Sequence, residues 1–214
     1  GQTVLDPACG TGGFLACAIK HMKKQVVNPN DEQKLQKGII GWEKKQLPHI
    51  LCTTNMILHG LDVPNIQHLI AGSLAKPLNS YGKNDKVDII LTNPPFGGME
   101  EDGIENNFPA DVRTKETADL FLVLIMKLLK DGGKCAMVLP DGALFGEGVK
   151  TRIKEKLLTE CNLHTIIRLP KSVFAPYTSI NTNLLFFEKG SPTTATWFYR
   201  LDMPEGVKAF NKIR

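Results

Sequence analysis

Thr3-Val4-Leu5-Asp6-Pro7-Ala8-Cys9-Gly10-Thr11-Gly12-Gly13-Phe14 is a short apolar run that stops at an acid and a proline, passes through three glycines and opens onto a helical pattern. The spacing predicts a strand over Thr3 to Asp6 and a helix over Phe14 to Lys24, and the glycines between them let a backbone approach a ligand closely. A strand–turn–helix unit of this kind is where open α/β sheets bind nucleotides. Outward from it, apolar runs alternate with amphipathic stretches along the chain, the pattern of βα units building a parallel sheet. Strands are expected at Gly38 to Glu43, Ile66 to Ala71, Val87 to Thr92, Lys134 to Leu139, Thr165 to Leu169, Asn183 to Glu188 and Thr196 to Tyr199. Helices are expected at Leu47 to Leu61, Ala118 to Lys130 and Val149 to Leu158. The polar stretch Gly97 to Lys115 is long for a connection and reads as a mobile loop.

At 214 residues, 42% hydrophobic and 22% charged, the chain has the size and composition of one α/β domain. A net charge of +4 permits a polyanionic partner without identifying one. Five cysteines, odd in number and widely spread, show no Cys-x-x-Cys or Cys/His pairing at metal-ligand spacing, and read as reduced and mostly buried. No apolar run approaches the roughly 18 residues that cross a bilayer, and no signal peptide opens the chain, so a reducing cytoplasm is the expected compartment and no membrane partner is expected.

The glycines at 10, 12 and 13 do not follow the Gly-x-Gly-x-x-Gly fingerprint of dinucleotide sites, which argues against a pyrophosphate ligand. Asp6 at the strand end could meet an ammonium, and the turn could face a compact zwitterion such as the methionine half of S-adenosylmethionine. The plainer alternative is a tight turn. Glu43, an acid at the end of the second strand, favours the ligand, because a carboxylate there can accept both hydroxyls of a ribose.

Asn93-Pro94-Pro95-Phe96 ends the strand Val87 to Thr92. An amide oxygen and a proline-fixed carbonyl facing one space can accept both hydrogens of an exocyclic amino group, and an aromatic ring beside them can stack on the flat ring that carries it. The nitrogen lone pair of such an amine is delocalised, so the two acceptors would stabilise the positive charge that develops as it attacks, with no metal required. Alone, Asn-Pro-Pro is a rigid turn; after a buried strand it is a candidate catalytic element. Phe174 is the candidate for the second face of the base, against the alternatives that it is core or that Tyr177 serves instead.

Asp-Pro-Ala-Cys-Gly-Thr-Gly-Gly-Phe-Leu followed by Asn-Pro-Pro-Phe resembles the amino-group DNA methyltransferases of the adenine type. Asn55-Met56-x-Leu58-His59-Gly60, Leu169-Pro170-x-x-Val173-Phe174 and Thr182-Asn183-Leu184-Leu185-Phe186-Phe187 resemble, more narrowly, the modification subunit of type I restriction systems. The resemblance covers nearly the whole chain. It implies a doubly wound, mostly parallel sheet of the S-adenosylmethionine-dependent methyltransferase type with one late strand reversed. It also implies methylation of adenine N6 in double-stranded DNA, with the base rotated out of the helix. S-adenosylmethionine is the implied cofactor, with Asp6, Ala8, Gly10, Thr11, Gly12, Phe14 and Glu43 as its contacts, and Asn93, Pro94, Pro95 and Phe96 as the catalytic element. Stacking on the target base falls to Phe96 and Phe174, and no metal is implied. A DNA-specificity subunit and a restriction subunit are the implied partners. Alternatives are a methyltransferase acting on a glutamine amide or an RNA base, and a non-catalytic scaffold.

Two departures from the family stand out. Near the end of strand three, where the family has an acid or amide against the cofactor's adenine, this chain has Gly72, so that contact is lost or passed to Ser73. The chain also begins almost at its first strand, without the family's leading helical region, so either it is a fragment or the cofactor site is incomplete; residues 1–214 are read as a single catalytic domain, a fragment being the expectation.

Overall fold

The computed structural model describes residues 1–96, 98–171 and 173–207. In chain order the elements are β1 (Val4–Asp6), α1 (Gly13–Lys23), α2 (Pro29–Gly38), β2 (Ile39–Glu43), α3 (Gln46–Leu58), β3 (Asn65–His68) and β4 (Val87–Thr92), then α4 (Thr117–Leu128), β5 (Leu129–Pro140), α5 (Asp141–Phe145), α6 (Val149–Glu160), β6 (Cys161–Arg168), β7 (Thr182–Lys189) and β8 (Trp197–Arg200). The strands form one sheet in the order β3-β2-β1-β4-β5-β7-β6-β8. β7 pairs antiparallel with β5 and β6, and the remaining pairs are parallel. The expected doubly wound sheet with one late strand reversed is the observed one.

Both faces of the central strands are covered, as a parallel sheet requires. α4 carries apolar residues on every side and sinks into the larger core, where Leu120, Leu124 and Ile125 pack with Cys135, Met137, Leu185 and Phe187. The opposite face is covered by α1 and α3, whose Leu15, Ile19, Cys52 and Met56 close over Val4 and Ile39.

Several elements differ from the sequence-based expectation: α5 was not expected, β3 is Asn65–His68 rather than Ile66 to Ala71, and β6 begins at Cys161 rather than Thr165. α2 was not expected, although its start is marked locally: the Asn28 side chain accepts from the Asp31 N–H at 3.0 Å, Pro29 opens the helix, and Asp31 and Glu32 sit in the first turn. The stretch expected as a mobile loop, of which Gly97 lies outside the described residues, is anchored instead. Phe108 and Val112 are buried in the larger core, and the Asn107 amide donates to the Leu74 and Ala75 carbonyls. α4 ends at Leu128 rather than Lys130, and β5 takes up Leu129 at once. Gly133 permits this, because a Cβ there would stand 2.8 Å from the Lys130 carbonyl oxygen and 3.1 Å from that of Asp88.

The chain runs from β1 outward to β3, then returns to β4 on the other side of β1. Connections leaving β1 and β4 therefore diverge at the carboxyl edge of the sheet, which opens a crevice between the glycine turn and Asn93.

Candidate functional site

The turn after β1 is shaped by glycines with distinct duties. Gly10 and Gly12 have φ of +54° and +85°, in the left-handed region that side chains resist. A Cβ at Gly12 would meet Cys52 Sγ at 2.8 Å and Met56 Cε at 2.9 Å, so this glycine also lets α3 close on the turn. A Cβ at Gly10 would meet nothing within 4 Å, so its backbone faces open space. Thr11 is exposed, its carbonyl held by the Asn55 amide at 3.0 Å, and Phe14 is 41% exposed on the first turn of α1. Ala8 packs against the larger core.

Glu43 stands at the end of β2 and reaches the turn, with Oε2 accepting from Gly10 N–H at 3.0 Å and Oε1 from Lys45 N–H at 2.7 Å. Asp6 lies deeper and is 2% exposed. Its Oδ1 accepts from Ala8 N–H at 3.0 Å and from the Thr92 hydroxyl at 2.7 Å. Burial pushes the Asp6 carboxyl up to about 7, against the pull of those two hydrogen bonds, and the Glu43 charge adds to the rise. Asp6 thus ties the turn to the last residue of β4, the one that precedes Asn93.

Pro7, Ala8, Glu43, Lys44, Ser73 and Pro95 line a cleft of about 140 Å³ between the turn and the Asn-Pro-Pro segment. That is smaller than the roughly 300 Å³ at which ligand pockets begin; Glu100, Thr117 and Phe121 are also in its lining, and Lys44 Nζ lies 3.5 Å from Glu101 Oε1. Gly72 also lines the cleft, at φ +88°, with the Lys44 stem 3.3 Å from where its Cβ would be. Ser73 does not stand free to replace an acid there, since it is 7% exposed and its hydroxyl donates to the Pro7 carbonyl at 2.5 Å. A larger hollow of about 730 Å³ between α1, α2, β1 and β4 contains none of the candidate site residues.

Asn93 leaves β4 with its Oδ1 buried and without a hydrogen-bond partner. Pro94 is buried and Pro95 exposed toward the cleft. Phe96 and Phe174, 78 residues apart in sequence, are brought together with ring centroids 5.2 Å apart at 66°, an edge-to-face contact. Tyr177 is 83% exposed.

Sequence reasoning missed a clamp at the base of the segment that carries Phe174. Arg168, the last residue of β6, grips Asp141 through Nη1 to Oδ1 at 2.8 Å and Nη2 to Oδ2 at 2.7 Å, and the Asn183 amide adds a bond to Oδ1 at 2.8 Å. This fixes both ends of the segment 169–181 that carries Phe174. The signal lay in Pro140-Asp141 ending a buried strand, but Asp141 gains its partners only through strand pairing.

A family model described as N-6 DNA Methylase matches residues 1–213. The methylase subunit of the type I restriction enzyme EcoEI from Escherichia coli is 60% identical over 216 residues, spanning 100% of this chain and 43% of that protein. A crystal structure of a modification subunit of a putative type I restriction enzyme from Vibrio vulnificus YJ016 superposes with a TM-score of 0.93 at 51% identity, over 99% of this chain and 45% of that one. A further structure, from a study of assembly and conformational transition of the type I restriction-modification system, gives a TM-score of 0.91 at 43% identity, over 98% of this chain and 42% of that one. The chain spans less than half the length of these relatives.

Proposed function

The chain belongs to the N-6 DNA methylase family, and from that membership we propose that it is the catalytic domain of a type I modification subunit, methylating the N6 amino group of adenine in DNA. The observation that carries the reading is the buried, unpartnered Asn93 Oδ1 at the carboxyl edge of β4. An acceptor kept out of water without a donor costs on the order of 1–3 kcal/mol, and an incoming amino N–H removes that cost.

The residues of the crevice fit S-adenosylmethionine: Gly10 presents backbone toward open space, and Glu43 offers carboxylate oxygens for ribose hydroxyls. Ala8, Thr11, Gly12 and Phe14 complete the rim, with Asp6 holding the turn from below. When bound, that cofactor supplies an electrophilic methyl group on a sulfonium. Asn93 Oδ1 and the Pro94 carbonyl each accept one N–H of the amine, which stabilises the positive charge growing on the nitrogen and aims its lone pair. The fixed φ of Pro94 and Pro95 keeps that geometry from relaxing. The surplus proton leaves the nitrogen for water afterwards. Phe96 and Phe174 cover the base, and to admit it they must part from 5.2 Å edge-to-face to roughly 7 Å face-to-face, twice the ~3.5 Å of carbon contact. DNA, a specificity subunit and a restriction subunit are the proposed partners.

The test is Asn93→Ala in the full-length subunit within its complex. S-adenosylmethionine binding should persist while methyl transfer falls by about 100- to 1000-fold, the loss typical of one acceptor or donor at a developing charge. Unchanged turnover would refute the assignment.

A further inference from the structure

Asn93 Oδ1 is not alone at this edge. The Thr182 hydroxyl and Asn181 Oδ1 are also buried without partners, and Thr182 is 0% exposed. The main chain of both residues is engaged: Asn181 O accepts from Asp141 N–H and Thr182 O from Leu169 N–H, each at 3.0 Å. What is unsatisfied is the side chains, and buried polar groups left so are rare enough to need a reason.

The sheet register fixes where they stand. Thr92 is opposite Met137, so Asn93 is level with Val138, which is opposite Leu184. Thr182 lies two residues further along β7 toward the carboxyl edge of β4 and β5, paired with Pro140. With β5 between them, Asn93 and Thr182 are two strand spacings and two residue rises apart, about 12 Å between backbones. They share a face. Ile89 and Leu91 of β4 pack on the α1–α3 side, and Asn93 continues their alternation; Leu185 and Phe187 of β7 point to the other core, so Thr182 points to the α1–α3 side too. Val138 and Pro140 of β5 stand between them, so a purine held from both sides by hydrogen bonds of about 2.9 Å would lie over the end of that strand.

Building on the adenine reading above, we propose that Thr182, with Asn181 beside it, is a specificity contact for the extruded base. Its hydroxyl donates to a ring nitrogen on the edge away from the amino group. The chemistry is complementary: the amino group needs acceptors, which Asn93 and Pro94 provide, whereas the ring nitrogens of adenine are acceptors and need a donor. A hydroxyl rotates to give one, and the Asn181 amide can turn its NH₂ to the same edge. The contact selects against bases that present N–H there, because two donors would then face each other in a dry site.

The experiment uses the full-length subunit in its DNA-recognising complex and oligonucleotides in which the target adenine is replaced by 1-deaza-, 3-deaza- or 7-deazaadenine. Wild type should lose roughly tenfold in kcat/KM on 3-deazaadenine, which lacks the ring nitrogen opposite the amino group, the value of one hydrogen bond to a buried group. Thr182→Val should lose roughly tenfold on adenine, show no additional loss on that analogue, and bind S-adenosylmethionine as before. Thr182→Ser, which keeps the hydroxyl, should behave as wild type. The proposal is overturned if Thr182→Val discriminates the analogues as wild type does, or if Thr182→Ser falls with it, which would mark a packing role. Should Thr182→Val not fold, the wild-type series decides, equal rates on adenine and 3-deazaadenine overturning the proposal. Full turnover by Asn93→Ala would instead sink the methylation reading itself, so the two failures are distinguishable.

Discussion

Replacing Asp6 with asparagine should change how stability depends on pH, and the size follows from the burial of one carboxyl. Asp6 is 2% exposed and its carboxyl is held at about 7, against an ordinary value of 3.8. The cause is loss of hydration, which the bonds from Thr92 and Ala8 only partly offset. Because the folded value is raised, the native state keeps a proton that the unfolded chain releases. The associated stabilisation is complete below about pH 4 and is lost as pH rises through about 7. A difference of about 3 pH units at 1.36 kcal/mol each corresponds to about 4 kcal/mol. Asparagine keeps the oxygen that accepts from Ala8 and Thr92 but has nothing to titrate, so any constant offset between the two proteins drops out of the pH dependence. The measurement is urea unfolding of wild type and Asp6→Asn at half-unit steps from pH 4 to 8.5. Wild-type stability minus variant stability should fall by about 4 kcal/mol over this range, steepest between pH 5 and 7 and level above about pH 8. A flat or rising difference would refute the argument that an uncompensated buried carboxyl ties the turn to β4.

Gly12→Ala and Gly10→Ala should separate packing from binding: each incurs about 1–2 kcal/mol for a side chain in the left-handed region, but only the first drives a Cβ into Cys52 and Met56, so thermal unfolding should show the larger loss at Gly12. Gly10→Ala should remain folded and lose affinity for S-adenosylmethionine in calorimetric titration. Asp141→Ala strands Arg168 and the buried Asn183 amide and should lower stability by about 2 kcal/mol, raising KM for DNA more than it lowers kcat, since the clamp holds the segment bearing Phe174. Phe96→Ala removes an edge-to-face contact worth about 1 kcal/mol; the domain should still fold, and the fluorescence rise of 2-aminopurine at the target position should shrink on binding.

How much of the site was legible in sequence depended on how local its chemistry is. Asp6 to Phe14 and Asn93 to Phe96 are each one strand end and one turn, and their residue types declare what the backbone does there. Glu43 was proposed on the same kind of ground, its place at a strand end. Thr182 opens the Thr182 to Phe187 motif but gives no sign of a ligand role in sequence, because an unpaired hydroxyl is visible only when everything around it is known. The clamp of Arg168, Asp141 and Asn183 was illegible for the same reason, its members being up to 42 residues apart. Ser73 illustrates the converse: sequence left it free to replace the contact missing at Gly72, and the fold spends its hydroxyl on Pro7.

Taken by itself, then, the sequence determined the alternation of elements, the reversed late strand through family resemblance, and the two motifs at the carboxyl edge, because hydrophobic period, glycine and proline act over a few neighbouring residues. Tertiary structure alone decided that Asp6 braces the turn from below, that the segment after Phe96 is anchored by Phe108 and Val112, that Phe174 meets Phe96, and that three buried polar side chains share one edge without partners. Those facts depend on which distant groups exclude water from one another, and that is settled only when the sheet has closed and its two faces are packed.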